Sequence, residues 1–106
     1  MKLNKIPFEM IKNGTKTIEC RLFDEKRQKI AIGDTIIFHL TDNIDEIITV
    51  KVMGLLRYKV FEDMFSRHDP RRFGGVSAQD LTDTLLDIYP LHDQLKNGIV
   101  GIDIQG

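Results

Sequence analysis

Between residues 14 and 21 the chain reads Gly-Thr-Lys-Thr-Ile-Glu-Cys-Arg, which sets the Lys16 ammonium, the Glu19 carboxylate and the Arg21 guanidinium close together where a strand begins. Side chains alternate along an extended strand, so Thr17, Glu19 and Arg21 share one face while Ile18, Cys20 and Leu22 share the other. That polar face suits two chemistries. In a binding site, Lys16 and Arg21 hold a phosphate or an acceptor edge, Thr17 lies beside them, and Glu19 accepts from an exocyclic amine. In a hydrolase, Lys16 acts as a base or polarises water, Glu19 shuttles a proton, and Arg21 stabilises a developing anion. The plain alternative is a solvated ion pair between Glu19 and Arg21, worth only about 0.2–1 kcal/mol. With both side chains expected on the polar side, Lys16→Ala and Glu19→Gln are expected to leave the fold stable.

A second group of chemically capable residues lies downstream, in Arg67-His68-Asp69-Pro70-Arg71-Arg72-Phe73-Gly74-Gly75. Arg71 and Arg72 beside Phe73 suit phosphate pairing and base stacking, and the glycines permit a loop that closes over a ligand. The competing reading is a solvated loop in which Asp69 neutralises one arginine. Tyr58 offers a further stacking surface. The charged run Asp24–Lys29 reads as a solvated loop with at most a minor phosphate contact. Cys20 has no cysteine partner in the chain, and its place on the apolar face makes it an inert core thiol that implies no metal site.

The elements that must position these groups follow from periodicity. Pro7 suits a first helical turn, Phe8 and Ile11 bury one side of that helix, and Asn13-Gly14 ends it. A first strand runs from Lys16 to Phe23. Thr35–Leu40 and Ile47–Met53 read as a hairpin turned at Asp42-Asn43, with Gly54 allowing a bend into Leu55–Tyr58. Phe61, Met64 and Phe65 fall at helical spacing and pack as core. Ser77 caps a longer helix with Asp80 three residues on. In that helix Ala78, Leu81, Leu85 and Ile88 form the buried stripe, and Asp80, Asp83 and Asp87 form an acidic outer side that repels phosphate. Pro90 ends the helix, and Ile99–Ile104 closes the chain as a core strand. Helices interleaved with hairpin-linked strands specify an α+β class.

The run Gly14-x-Lys16-x-x-Glu19-x-Arg21, flanked in order by Pro7–Ile11, Ile32–Phe38 and Gly98–Ile104, resembles the ASCH domain of the PUA-like superfamily, in its small single-domain bacterial type. The resemblance implies a small mixed β-barrel of five or six strands flanked by helices. It also implies a cleft lined by Lys16, Glu19 and Arg21, for which Tyr58 and the arginine-rich loop are the expected walls. Domains of this kind are regarded as RNA- or nucleotide-binding modules, and some are reported to act on RNA or modified nucleosides. One branch removes the acetyl group of N4-acetylcytidine with a lysine, a threonine and a glutamate. Lys16 matches that lysine, Glu19 stands at the threonine position, and Arg72–Gly75 contains no glutamate. The partners implied are single-stranded RNA, a nucleotide or a modified nucleoside; no cofactor is implied.

Composition sets the outer bounds. With 106 residues, 42% apolar and 29% charged, the chain suits one domain over 1–106 and is too short for two. A net charge of −1 excludes a global basic field, so any nucleic-acid contact must rest on a local patch. No run approaches the roughly 20 apolar residues that span a bilayer, and no signal-like apolar run opens the chain, which points to a cytoplasmic protein.

Overall fold

In the computed structural model, which describes residues 1–106, five strands form one mixed sheet. They are β1 (Lys2–Leu3), β2 (Ile18–Leu22), β3 (Thr35–Leu40), β4 (Asn43–Tyr58) and β5 (Ile99–Gln105), in the order β1-β3-β4-β5-β2. Four helices flank the sheet: α1 (Lys5–Lys12), α2 (Phe61–Phe65), α3 (Ala78–Ile88) and α4 (Leu91–Asn97). All strand pairs are antiparallel except β1 with β3. Although β1 and β2 are the two outer strands, an Arg21 Nη2–H donates across to the Lys2 carbonyl at 3.2 Å. The sheet is therefore curled into a half-barrel whose edges approach without pairing.

The long strand β4 makes the curl. Its first part pairs with β3 and its last part with β5, and the register shifts between Val52 and Gly54. Met53 is the extra residue, and a bulge of this kind bends a strand and increases its twist. The expected hairpin and the expected continuation past Gly54 are thus one strand, longer at its start than the alternation indicated. The curled face buries Phe8 and Ile11 of α1 against Phe38, Val52, Val100 and Ile102. The opposite face packs Ile18, Cys20 and Ile99 against Phe61, Met64 and Phe65 of α2 and Leu81 and Leu85 of α3. The alternation in β2 accordingly separates two cores. Ile18 and Cys20 face one, and Glu19 and Arg21 face the other side.

Ser77 caps α3 as expected, accepting from the Asp80 N–H at 3.1 Å. Pro90 follows the end of α3, as expected, and a helix not expected from the sequence, α4, starts directly after it. That helix is held by Gln94, which is buried, accepts from the Phe61 N–H at 2.9 Å and donates to the Tyr89 carbonyl at 2.8 Å. The run after Phe23 is more ordered than a solvated loop, since Asp24 accepts from both the Arg27 N–H and the Arg27 guanidinium.

Candidate functional site

The segment joining α1 to β2 is pinned at each step. Lys16 N–H donates to the Met10 carbonyl at 3.0 Å, Thr17 N–H to the Arg72 carbonyl at 2.8 Å, and Ile104 N–H to the Thr17 carbonyl at 2.9 Å. This fixes where the three charged side chains emerge, at the unclosed edge of the half-barrel. Glu19 is buried, with only 4% of its surface exposed. One of its oxygens, Oε1, accepts from the Lys16 ammonium at 3.0 Å and from the Cys20 N–H at 2.9 Å. The other, Oε2, lies 3.5 Å from Arg21 Nη2. A single carboxylate thus stands between two cations, and the cluster keeps one uncompensated positive charge. The solvated ion pair of the plain alternative does not form, because the curl of the sheet brings α1 and β1 over this face and buries Glu19.

Burial opposes the charge of Arg21, but Glu19, with smaller help from Tyr89, outweighs it and raises the guanidinium above its ordinary pKa. Arg21 Nε is buried without a hydrogen-bond partner. Burial also pushes the Cys20 thiol up to about 12, so no thiolate forms there at neutral pH and the residue is an inert core thiol.

Above the cluster opens a cleft of about 590 Å³. Its floor is Lys16, Glu19 and Arg21; Ile6, Pro7 and Met10 of α1 form one wall, and α3 forms the other through Asp80, Thr84 and Ile88. Residues Phe73–Val76 make the end wall. At the rim, Ile6, Val76 and Ile88 are each more than half exposed. Asp80 and Thr84 were not legible as site residues. The sequence puts Asp80 on an outer helix face, and only the packing of α3 beside α1 turns that face into a cleft wall. No group of three or more His, Cys, Asp or Glu side chains converges to hold a metal ion.

The other expected site residues lie outside this cleft. Tyr58 donates or accepts at 3.0 Å with His68 Nε2 and lines a different groove. Arg71 is exposed and paired with Asp69 at 2.8 Å, holding that carboxyl below its usual range. Arg72 donates to Asp103 at 3.0 Å and to the Thr17 hydroxyl at 3.4 Å, which ties the loop to β5 and to the residue just before β2. Phe73 is buried edge-on against Phe65, with ring centroids 4.9 Å apart. A Cβ on Gly75 would meet Leu81 at 2.5 Å, so this segment is seated on α3. The loop is a fixed wall of the cleft, and neither its arginines nor Phe73 offers a free surface to the ligand there.

Gly74 joins that wall to the floor. Its φ is +81°, and a Cβ there would lie 2.9 Å from the Met10 methyl and 3.4 Å from Lys16 Cδ. Gly74→Ala is expected to destabilise the protein by about 1–2 kcal/mol through the left-handed backbone alone. Equilibrium urea unfolding would measure it, and an unchanged midpoint would show that the turn relaxes freely.

No curated protein matches this chain. No helix is long and apolar enough to cross a membrane. The crystal structure of the hypothetical protein PH0355 superposes with a TM-score of 0.85 at 31% identity, over 99% of this chain and 94% of that one. The solution NMR structure of protein PF0455 from Pyrococcus furiosus gives a TM-score of 0.72 at 26% identity, over 99% and 96%. Both likenesses cover the whole curled sheet and its helices, an α+β architecture of the PUA-like kind. The ASCH domain model matches residues 1–97, a span that includes both edges of the half-barrel and every residue of the cleft, and the chain therefore belongs to the ASCH domain family.

Proposed function

We propose that the cleft binds a nucleotide, free or as an unpaired unit of single-stranded RNA. The observation that supports this most is the Lys16–Glu19–Arg21 cluster, its carboxylate buried and its cations partly buried, at the base of a cleft whose lining is half apolar; with Lys2 and Asp80 of the same lining counted, the charged groups there still sum to one positive charge. Apolar walls suit the faces of a ring, and a cleft of about 590 Å³ is of the size that small-ligand sites occupy. Lys16 and Arg21 contact acceptor atoms of the base or its phosphate. Glu19 holds both cations in place and accepts from an exocyclic amine with its less engaged oxygen, Oε2. Unpaired bases expose such edges, and RNA recognition favours them.

The test is a titration with cytidine monophosphate and a short single-stranded RNA, following bound ligand. Arg21→Gln is expected to weaken binding about 10- to 100-fold, the loss of a hydrogen bond to a charged group. Affinity unchanged in a variant that melts like the parent would remove Arg21 from the site. No saturable binding at all would remove the reading.

A second reading, hydrolysis of an acylated nucleoside such as N4-acetylcytidine, draws on one contact: the Lys16 ammonium lies 3.0 Å from the Glu19 carboxylate at the cleft floor. Glu19 would take a proton from the attacking water and return it to the departing N4 amine as the acetyl C–N bond breaks, releasing cytidine and acetate, while Lys16 and Arg21 face the developing oxyanion. Product from N4-acetylcytidine that disappears in Lys16→Ala supports hydrolysis. Binding without product leaves the nucleotide-binding reading alone.

A further inference from the structure

Outside the cleft, the half-barrel carries a second place where cations and an aromatic ring meet. The Arg57 guanidinium lies over the Phe23 ring, 3.8 Å from its centroid. Together with Tyr58 and Lys59 these residues line a groove of about 260 Å³. Arg57 and Lys59 are exposed, and neither takes part in an ion pair. Two unpaired cations beside an aromatic ring differ from the arginine-rich loop, where Asp69 and Asp103 already hold Arg71 and Arg72.

The sheet register links this groove to the cleft. Arg21 on β2 and Arg57 on β4 both pair with Val100 on β5, so the three share one row and one face of the sheet. Two strand spacings put the arginine backbones about 10 Å apart. Phe23 continues the face of Glu19 and Arg21 just past the end of β2. Val100 between them is buried, so Arg21 reaches the surface at the cleft floor and Arg57, with Phe23 and Lys59, at the groove on its other side, a spacing within reach of neighbouring nucleotides of one strand.

We propose that the Phe23–Arg57–Lys59 groove is a second nucleotide subsite, and that the ligand is a single RNA strand lying across both sites rather than a free mononucleotide. This rests on the nucleotide reading of the cleft and extends it. The flat guanidinium, backed by the Phe23 ring, presents a stacking surface for a base, and Lys59 pairs with the neighbouring phosphate. Recognition of this kind tolerates many sequences, because every base has a stacking face.

Cytidine monophosphate, a cytidylate RNA hexamer and a poly-glutamate hexapeptide separate the outcomes, each titrated into the parent, Arg57→Gln, Lys59→Gln and Arg21→Gln proteins at two salt concentrations. The hexamer is expected to bind the parent at least tenfold more tightly than the mononucleotide. Arg57→Gln is expected to remove most of that advantage while leaving mononucleotide affinity unchanged, and Lys59→Gln to lower the salt dependence of hexamer binding by about one phosphate contact. Both substitutions are at exposed positions, and melting curves identify any variant that fails to fold. A hexamer that binds no better than the mononucleotide, or that is indifferent to Arg57→Gln, overturns the subsite. Equal binding of poly-glutamate also overturns it, leaving a general anion surface. Hexamer binding that needs Arg57, with no mononucleotide binding and no response to Arg21→Gln, would keep the groove and discard the cleft reading.

Discussion

Glu19→Gln is expected to lower the free energy of unfolding by about 3 kcal/mol, because it leaves two partly buried cations without their counter-charge. Glutamine keeps an oxygen for the Cys20 N–H, so the loss isolates charge from backbone hydrogen bonding. For a domain of this size the change corresponds to a drop in Tm of roughly 12 °C or more, measured by thermal melting. Lys16→Met should cost less, since Glu19 then retains Arg21. In the double variant Lys16→Met/Glu19→Gln the costs should fall short of additivity, the signature of a shared interaction. A Glu19→Gln melt within a few degrees of the parent would mean that the carboxylate is effectively solvated and that the cluster does not hold the floor together.

This expectation reverses the one drawn from alternation alone, and the reason bears on what a sequence discloses. The parity of β2 was legible: Ile18 and Cys20 do pack together against α2 and α3, and Glu19 and Arg21 do point the other way. What lies over Glu19 was not, because it is set by the approach of β1, an edge strand far away in the sheet order. Two residues paired in parallel with β3 give too short a pattern to read as a strand. The cap of α3 and the Leu81 and Leu85 part of its stripe were plain, but Ile88, expected in that stripe, is 60% exposed beside the cleft, and the role of the Asp80 face depended on which helix stood opposite. Helix α4 was missed because Pro90 ends one helix and starts the next, a use of proline at a helix start that the same residue supports equally well. Local chemistry thus located the charged cluster, while long-range curvature decided that it is enclosed, that Tyr58 is not one of its walls, and that the arginine loop walls it through Phe73–Gly75 rather than through its arginines.

Phe73 is where the two views of that loop part most sharply. As a stacking residue it would face the ligand, and trimming it would cost affinity more than stability. In the structure it is almost fully buried, edge-on to Phe65, with a further edge contact to His68. Phe73→Ala is therefore expected to cost about 3–5 kcal/mol, through lost burial and the cavity left behind. Total stabilities of about 5–15 kcal/mol make that a large share, visible in a urea titration. The loop's remaining ties, Thr17 N–H to the Arg72 carbonyl and Arg72 to Asp103, hold its base but do not fill the space. Phe73→Leu refills most of it and should cost about 1.5 kcal/mol or less while leaving nucleotide affinity near that of the parent. If Phe73 instead stacked on a base, the leucine variant would stay folded and lose affinity by about tenfold. The pair of substitutions therefore decides whether the aromatic ring beside Arg72 supports the cleft from behind or meets the ligand, a distinction that the order Arg71-Arg72-Phe73 cannot make.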